Sequence, residues 1–345
     1  MAAPASAGKS PCPDRLGLTA GSDRLGLTAH LCGLCGRRPG YRESMPDETA
    51  SRSDRGRYEV AAWIRGQPKA SARFGAVLRD TLDEVLDGPR TGRFDVDRLD
   101  QVEKVYLGTK FTILTRAEFT LPPGRRAGCQ VAGHEVELLL SLDTTWSVPS
   151  GAIGRLCLLV SADDRRATFD VGLVRATPDV LTRPRRSRRE LRPGRATANA
   201  EWLFRDALLP ENALLAMPRA DSDAIMGPRS GQQRVNELLR RVQGKLIERK
   251  TTLTVAMQHD GMKRCRDARL LLAQEGIVVL GHQNEAPRVA EALGLPVPRK
   301  GSLLAVRLIR VPEHAPGRPT VRVGDAHYAV ARPGDPVEPA PHIHC

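Results

Sequence analysis

Two neighbouring glutamates are the first candidates for a metal site. Glu135 and Glu137 lie in a nearly continuous stretch of β-favouring residues, 131–142, and the single residue between them puts both side chains on one face of a strand. Carboxylates arranged in this way can bind a hard divalent cation such as Mg²⁺. The same spacing also fits the solvated face of an ordinary strand, which is the interpretation that the sequence favours.

A second candidate site is a basic helix that follows a tight turn. Helical patterns at 252–258 and 262–274 flank the turn His259–Gly261, and a strand follows at 276–281. The glycine permits a positive φ in the turn, and the aspartate before it can cap the next helix. Helix, turn, basic helix and strand is the order found in a winged helix-turn-helix.

The chemistry of the basic helix suits duplex DNA. An arginine in the first turns of a helix in the major groove can donate two hydrogen bonds to guanine O6 and N7, while other basic groups contact phosphates. We expect Arg264 to read a base and Lys300, in the basic turn 299–301, to contact the backbone. The pattern alone fits a surface helix with solvated charges equally well, and the basic turn also fits an exposed hairpin. The predicted DNA-binding residues are Lys263, Arg264, Arg266, Arg269, Arg299 and Lys300.

The composition of the chain is consistent with a DNA-binding protein. The 345 residues carry a net charge of +13 and include 41% hydrophobic residues, so two packed cores are expected rather than one. The positive excess favours nucleic acid as partner before an acidic membrane, although a genome that uses arginine freely gives the same excess. No apolar run reaches membrane-spanning length, no signal-peptide layout is present, and the seven cysteines are scattered. These features predict a cytoplasmic protein without a membrane partner.

The elements that must position these residues follow from hydrophobic periodicity. Apolar spacing predicts a helix at 74–86 and a second helical pattern after Asp97, with Leu99, Val102 and Tyr106 on one face. The stretch 108–119 fits a helix or a strand equally well. Strands are predicted at 131–142, 153–161 and 168–176, and the clearest helix of the second half at 232–247.

Changes in composition predict the domain organisation. The first segment contains a short direct repeat and little periodicity, so we expect disorder there and note Met45 as a sensible true start. A tract of arginines with almost no apolar residues marks a linker. The predicted divisions are a disordered segment 1–56, an α/β domain 57–182, a basic linker 183–200, a DNA-binding domain 201–334 and a frayed tail 335–345.

Several stretches of the chain resemble the NaeI type II restriction endonuclease family. They are GAVLRDTLDEVLDGPRTGRFDVDRLDQVEKVYLGT at 75–109, QQRVNELLRRVQGKLIERKTTLTVAMQHDGMKR at 232–264, EGIVVLGHQNEAPRVAEALGLPVPRKG at 275–301 and AVARPGDPVEPAP at 329–341. The resemblance spans about 57–341. It implies a restriction-endonuclease-like N-terminal domain, with a mixed sheet and flanking helices, and a winged helix-turn-helix C-terminal domain. It also implies a homodimer that binds double-stranded DNA and uses Mg²⁺.

The resemblance also indicates where the cutting chemistry should lie. Such a nuclease holds Mg²⁺ with acidic groups near the scissile phosphate and uses a lysine to activate water. The family's four positions fall on Thr112, Gly128, Glu137 and Leu139. Glu137 alone keeps its carboxylate, so it is the remnant candidate for both catalysis and metal binding.

Three functions remain open from the sequence. The first is a DNA-binding protein of the family with lost or impaired cleavage, and the second is an active Mg²⁺-dependent endonuclease with a displaced site, for which Lys104 or Lys110 would have to approach Glu137. The third is a transcription regulator, which leaves the N-terminal resemblance unexplained. Glu248-Arg-Lys250 repeats the acid-x-Lys order of the catalytic motif, but it follows a helix of the DNA-binding domain and we interpret it as coincidental.

Overall fold

The computed structural model describes residues 54–125, 128–183, 188–192 and 195–344. None of the helices in these ranges has both the length and the apolar character that a membrane crossing needs. The described residues form eleven α-helices: α1 Arg55–Arg65, α2 Ala70–Leu86, α3 Gly88–Thr91, α4 Gln101–Phe119, α5 Arg195–Asn199, α6 Ala213–Ala216, α7 Arg219–Met226, α8 Gly231–Arg241, α9 Arg249–Ala256, α10 Gly261–Ala273 and α11 Ala286–Ala292.

The strands fall into two groups along the chain. The first group is β1 Cys129–Val131, β2 His134–Ser141, β3 Ser147–Pro149, β4 Leu156–Asp163, β5 Thr168–Arg175, β6 Arg188–Glu190 and β7 Glu201–Leu208. The second group is β8 Leu246–Glu248, β9 Ile277–Leu280, β10 Ser302–Val311, β11 Val321–Val323 and β12 Ala326–Val330.

The first sheet is mixed and has the order β1-β2-β4-β5-β7. Strands β2 and β4 are parallel, whereas β1 with β2, β4 with β5 and β5 with β7 are antiparallel. Helices α1, α2 and α4 cover one face, where Phe74, Leu82, Phe111 and Leu158 are buried in one cluster. The predicted α/β architecture, a mixed sheet with flanking helices, is therefore confirmed.

Helix α4 is fixed at its start by a capping box. The Asp100 carboxylate accepts a hydrogen bond from the Glu103 backbone N–H, and the Glu103 carboxylate accepts one from the Asp100 backbone N–H. Arg93 donates to both oxygens of Glu103. The ion pair with Arg93, together with the backbone bond, lowers the pKa of Glu103 to about 2. The stretch 108–119, which periodicity left undecided, is part of this single helix.

The buried face of α4 is not the face that the predicted apolar residues share. Leu107, Phe111 and Phe119 face the sheet, because they recur every four or eight residues. Val102 and Tyr106 do lie on one face, as predicted, but they are 77% and 48% exposed, and Leu99 precedes the helix. Apolar spacing marks a helix face without saying whether this chain itself covers that face.

The second sheet supports the helices that carry the basic residues. Its order is β11-β12-β10-β8, and β9 pairs antiparallel with residues 304–307 in the middle of β10. Helices α8, α9 and α10 pack on this sheet around a core that contains Val235, Leu239, Val255, Leu272 and Ile277.

Several predicted boundaries are corrected by the structure. Strand β7, placed by sequence in the domain 201–334, pairs with β5 at the edge of the first sheet. The tract 183–200 is not a plain linker, because its strand β6 pairs with β3. Leu191 is also buried, in the apolar cluster that contains Leu139 and Leu159 of the first sheet. Helix α8 ends at Arg241 rather than continuing to 247, and residues 246–248 form β8, paired with β10.

The described parts of the two terminal segments also differ from expectation. Of the segment 1–56 that was predicted to be disordered, residues 1–53 lie outside the described residues, and α1 begins at Arg55. The described part of the tail, which was predicted to be frayed, contacts the rest of the fold. The Ala340 N–H donates to the Ala273 carbonyl oxygen, and Ile343 packs against a buried apolar cluster.

A group of charged side chains joins helix α2 to helix α9. The Arg79 guanidinium is paired with Asp83 and, at 2.5 Å, with Asp164, and the side chain of Asp164 is 1% exposed. Lys250, near the start of α9, is paired with Asp80 and Asp83. Burial raises the pKa of Asp83, despite the cations beside it. We call these five side chains the junction network.

Candidate nucleic-acid interface and cleavage site

The turn between α9 and α10 is held by two residues with different roles. Met257 ends α9 with a positive φ of 52°, the conformation that the sequence had suggested for Gly261. Gly261 instead allows close helix packing, since a Cβ there would lie 3.1 Å from Ala256 Cβ and 3.2 Å from the Thr252 carbonyl oxygen. The predicted cap also differs, because the Asp260 side chain makes no capping bond to the described backbone of α10.

Helix α10 has an inner face and an outer face of contrasting chemistry. Cys265, Ala268 and Leu272 are buried against α8, α9 and β9. Each residue is rotated by about 100° from the one before it, which places a set of exposed side chains on the opposite face. The most exposed leucine of the helix, Leu270 at 83%, is among them. This outer face consists of Lys263, Arg266, Asp267 and Leu270.

Two of the predicted DNA-binding arginines lie at the sides of α10 and are bound within the fold. Arg264 donates from Nη2 to the Gln258 Oε1 at 2.6 Å, and its buried Nε finds no hydrogen-bond partner within the described chain. Arg269 donates from Nε to the Val279 carbonyl oxygen at 3.2 Å. The guanidinium groups of both arginines are therefore engaged within the fold, whereas Lys263 and Arg266 are exposed.

Arg234 is a positioning residue that the sequence analysis overlooked. It is 7% exposed, and its guanidinium donates to the carbonyl oxygens of Val255 and Ala256, which end α9, and to those of Pro228 and Arg229. Burial, reinforced by Arg264, lowers the pKa of Arg234. Arg234 thus fixes the end of α9 against α8. The available signal was its position four residues before the buried Leu238, on the inner face of α8.

The basic turn lies at the other end of α9. The Arg249 N–H donates to the Gly301 carbonyl oxygen at 2.8 Å, and Arg299 is paired with Glu248 at 3.4 Å. Lys300 is exposed. Because the eight residues of α9 span about 12 Å, this turn is separate from the outer face of α10.

The two glutamates of β2 occupy different surroundings. Glu137 is half-buried opposite Cys157 in the parallel pair of strands, and burial, with Glu137 adding to it, raises the pKa of the Cys157 thiol to about 12. The Glu135 carboxylate accepts hydrogen bonds from the Arg125 backbone N–H at 3.0 Å and from the Gln130 side chain at 3.4 Å. Glu135 therefore serves to close the loop that precedes β1.

The other three positions expected in a nuclease site cannot supply its chemistry. The Thr112 hydroxyl donates to the Gly108 carbonyl oxygen, within its own helix, at 2.9 Å. Leu139 is 9% exposed and packs in the cluster that includes Trp146. At Gly128 the φ is +68°, and a Cβ would lie 2.2 Å from the Val136 carbonyl oxygen. The backbone itself therefore excludes a side chain at position 128.

Two lysines that could have replaced the missing one are paired elsewhere. Lys110 is paired with Glu84 in α2, and Lys250, of the second acid-x-Lys stretch, belongs to the junction network. Across the described ranges, no group of three or more His, Cys, Asp or Glu side chains is arranged to hold a metal ion. Judged by the side chains that are present, with Thr112 bonded to its own helix and no room at Gly128, the site does not fit Mg²⁺-dependent hydrolysis.

Comparisons with known proteins cover both sheets. The chain matches the family model described as restriction endonuclease NaeI over residues 59–339. It is 42% identical over 283 residues to the type II restriction enzyme NaeI of Lentzea aerocolonigenes, a match that covers 79% of this chain and 89% of that protein.

The steric exclusion at Gly128 predicts a difference between two glycines. Gly128→Ala and Gly133→Ala both place Ala at a positive φ, of +68° and +81°, but only the first puts Cβ against backbone. We expect each to lose about 1 kcal/mol of unfolding free energy from φ, and Gly128→Ala to lose about 2 kcal/mol more from the overlap. Urea unfolding followed by circular dichroism measures both, and equal losses would contradict the exclusion.

Proposed function

The chain belongs to the NaeI restriction endonuclease family, and on that premise we propose that it binds duplex DNA without Mg²⁺-dependent cleavage at the inherited site. The observation that carries the proposal is the combination of Gly128, where no carboxylate fits, with Leu139, which is buried in place of lysine. Glu137 remains, but one carboxylate provides neither the full metal coordination nor the activation of water that hydrolysis needs.

The proposed binding mode is a winged helix-turn-helix with α10 in the major groove. Support comes from the order α9, turn, α10 and β9, and from the exposed basic side chains Lys263 and Arg266 on the outer face. Arg299 and Lys300 are proposed to contact phosphates beyond the groove, and the net charge of +13 favours the approach of the polyanion. Arg264 and Arg269 are not assigned a DNA contact, because their guanidinium groups donate hydrogen bonds within the fold. We propose the cytoplasm as the place of action.

Binding of this kind should depend steeply on salt. We expect the logarithm of the affinity for a random-sequence duplex to fall linearly with the logarithm of the salt concentration, because bound counterions are released from the phosphates. Lys263→Ala and Arg266→Ala should each reduce the slope by about 0.9 if their groups neutralise a phosphate, and leave it unchanged if they contact only bases. Fluorescence anisotropy titrations measure the slope.

Arg219→Ala is the matched control for these titrations, because the Arg219 side chain is 93% exposed and, among the described residues, is paired only with Asp223 of its own helix. Its slope should equal that of the unmodified protein. A flat salt dependence of the unmodified protein would contradict the proposed DNA binding.

Cleavage is tested directly with plasmid DNA. We expect purified protein with Mg²⁺ or Mn²⁺ to leave a set of plasmids of varied sequence uncut, at protein concentrations where a gel-shift assay shows them bound. Discrete linear fragments would contradict the loss of cleavage. In that event Glu137→Gln separates the alternatives, since loss of the fragments would place the activity at β2 and their persistence would indicate a displaced site.

We also propose that the protein forms a homodimer through the outer face of α4. Val102, Val105, Tyr106 and Ile113 are each at least 48% exposed on this helix. Thr109, which is also exposed, lies at the centre of this face. A second copy crossing antiparallel at Thr109 would bring Val105 of one protomer against Ile113 of the other, in an isologous contact.

The dimer proposal predicts a selective effect of charge on this face. Ile113→Glu should raise the dimer dissociation constant by about tenfold or more, because it puts an unpaired charge into an apolar contact. Leu208→Glu is the control, since Leu208 is an 82% exposed leucine on β7, away from α4. Sedimentation velocity over a range of concentrations measures both variants. A monomeric unmodified protein, or equal effects of the two substitutions, would refute the proposed face.

A further inference from the structure

One acidic side chain stands on the otherwise basic and apolar outer face of α10. Asp267 is exposed, follows Arg266 directly and lies one helical turn beyond Lys263. Within the described part of the chain, its carboxylate takes part in no hydrogen bond and no ion pair, and neither do the side chains of Lys263 and Arg266. The spacing from Lys263 to Asp267 would permit an i,i+4 pair, so its absence leaves the carboxylate available to a partner outside the chain.

This position is unfavourable for a carboxylate unless the DNA itself provides a donor. A helix in the major groove lies between two phosphate backbones, within about one Debye length (~8 Å at physiological salt) of many negative charges. A side chain that only faced solvent would weaken binding there. The groove edges offer two kinds of amino donor, the cytosine N4 and the adenine N6.

The two donors are distinguished by the atoms beside them. The adenine N6 lies next to N7, an acceptor that repels a carboxylate, whereas the edge of cytosine presents the N4 amino group without a neighbouring acceptor on that base. The guanine paired with that cytosine presents O6 and N7, which suit a cation such as Lys263 or Arg266. An acidic residue flanked by basic ones is therefore complementary to a C·G pair and its surroundings.

We propose that Asp267 is a specificity-determining residue that accepts a hydrogen bond from the N4 amino group of a cytosine in the major groove. This inference rests on the proposed function, because it requires α10 to lie in that groove. Lys263, Asp267 and Leu270 follow one another along the outer face over about 10 Å of helix, which corresponds to about three base pairs. The site read by α10 thus contains a C·G pair at the level of Asp267.

The experiment is a selection of bound duplexes from a randomised library with the full-length protein. We expect the unmodified protein to enrich a site with one fixed C·G pair, and replacement of that pair to weaken binding about tenfold or more. Asp267→Ala should remove the preference at that pair alone and strengthen binding to random-sequence duplex, because a like charge is removed. Asp267→Asn should shift the preference at the same pair to A·T, since the amide can bond to adenine N6 and N7 together.

Glu291→Gln is the matched control, because Glu291 is an exposed acid without a side-chain partner in the described chain, on α11 rather than α10. Its selected site and affinities should equal those of the unmodified protein. An unchanged preference in both Asp267 variants, with salt-dependent binding intact, overturns this inference and leaves the proposed function standing. Failure of the unmodified protein to bind any duplex overturns both.

Discussion

The junction network is the constraint on which the arrangement of both sheets depends. Arg79 lies with Asp83 and Asp164 where water is largely excluded, and removing one partner of such a buried set typically costs about 3–5 kcal/mol. Lys250 extends the same network to the start of α9. Close packing reinforces the junction, since a Cβ on Gly88 of α3 would lie 2.1 Å from the Thr254 Oγ1 of α9. The helix that supports the basic outer face is thereby held against the α2 surface, and the described residues belong to one compact unit.

The first sheet keeps its packing at the positions where cleavage chemistry would be expected. Leu139 contributes to the cluster around Trp146, so an ammonium group there would have to be buried among apolar side chains. Gly128 is more restrictive, because its Cβ position is occupied by the Val136 carbonyl oxygen of the neighbouring strand. A single substitution that restored the lysine would therefore leave the metal without its second carboxylate. The sheet and the cutting site are separable, since the sheet depends on apolar contacts and the site on exposed polar groups.

The sequence predicted individual helices and strands better than it predicted which of them pack together. The strand expected at 168–176 is β5, and the turn and helix expected around residues 259–274 are present. Strand β7 was assigned to the wrong half because periodicity does not say which sheet a strand joins. Arg234 was overlooked for a related reason, because its hydrogen bonds join it to residues that are distant in the sequence. The sequence also does not show that Asp267 lacks a partner within the described chain. The sequence alone does not show why position 128 is a glycine. The steric reason becomes visible only when the backbone of β2 is placed beside it.

DNA reading and DNA cutting make different physical demands, and the chain meets them unequally. Cutting requires several groups held within hydrogen-bond distance of one phosphate, so the loss of any one of them disables the whole set. Reading relies on side chains that each contact their own base or phosphate. Lys263, Arg266 and Asp267 share one exposed face without bonding to each other, which is the arrangement that the proposed reading requires. The rigidity that such reading would need comes from beneath that face. Arg234 of α8 donates to backbone carbonyl oxygens at the end of α9, and Arg264 of α10 donates to the Gln258 side chain in the turn between α9 and α10. None of these contacts involves β2, so the outer face of α10 can work whether or not the first sheet cuts.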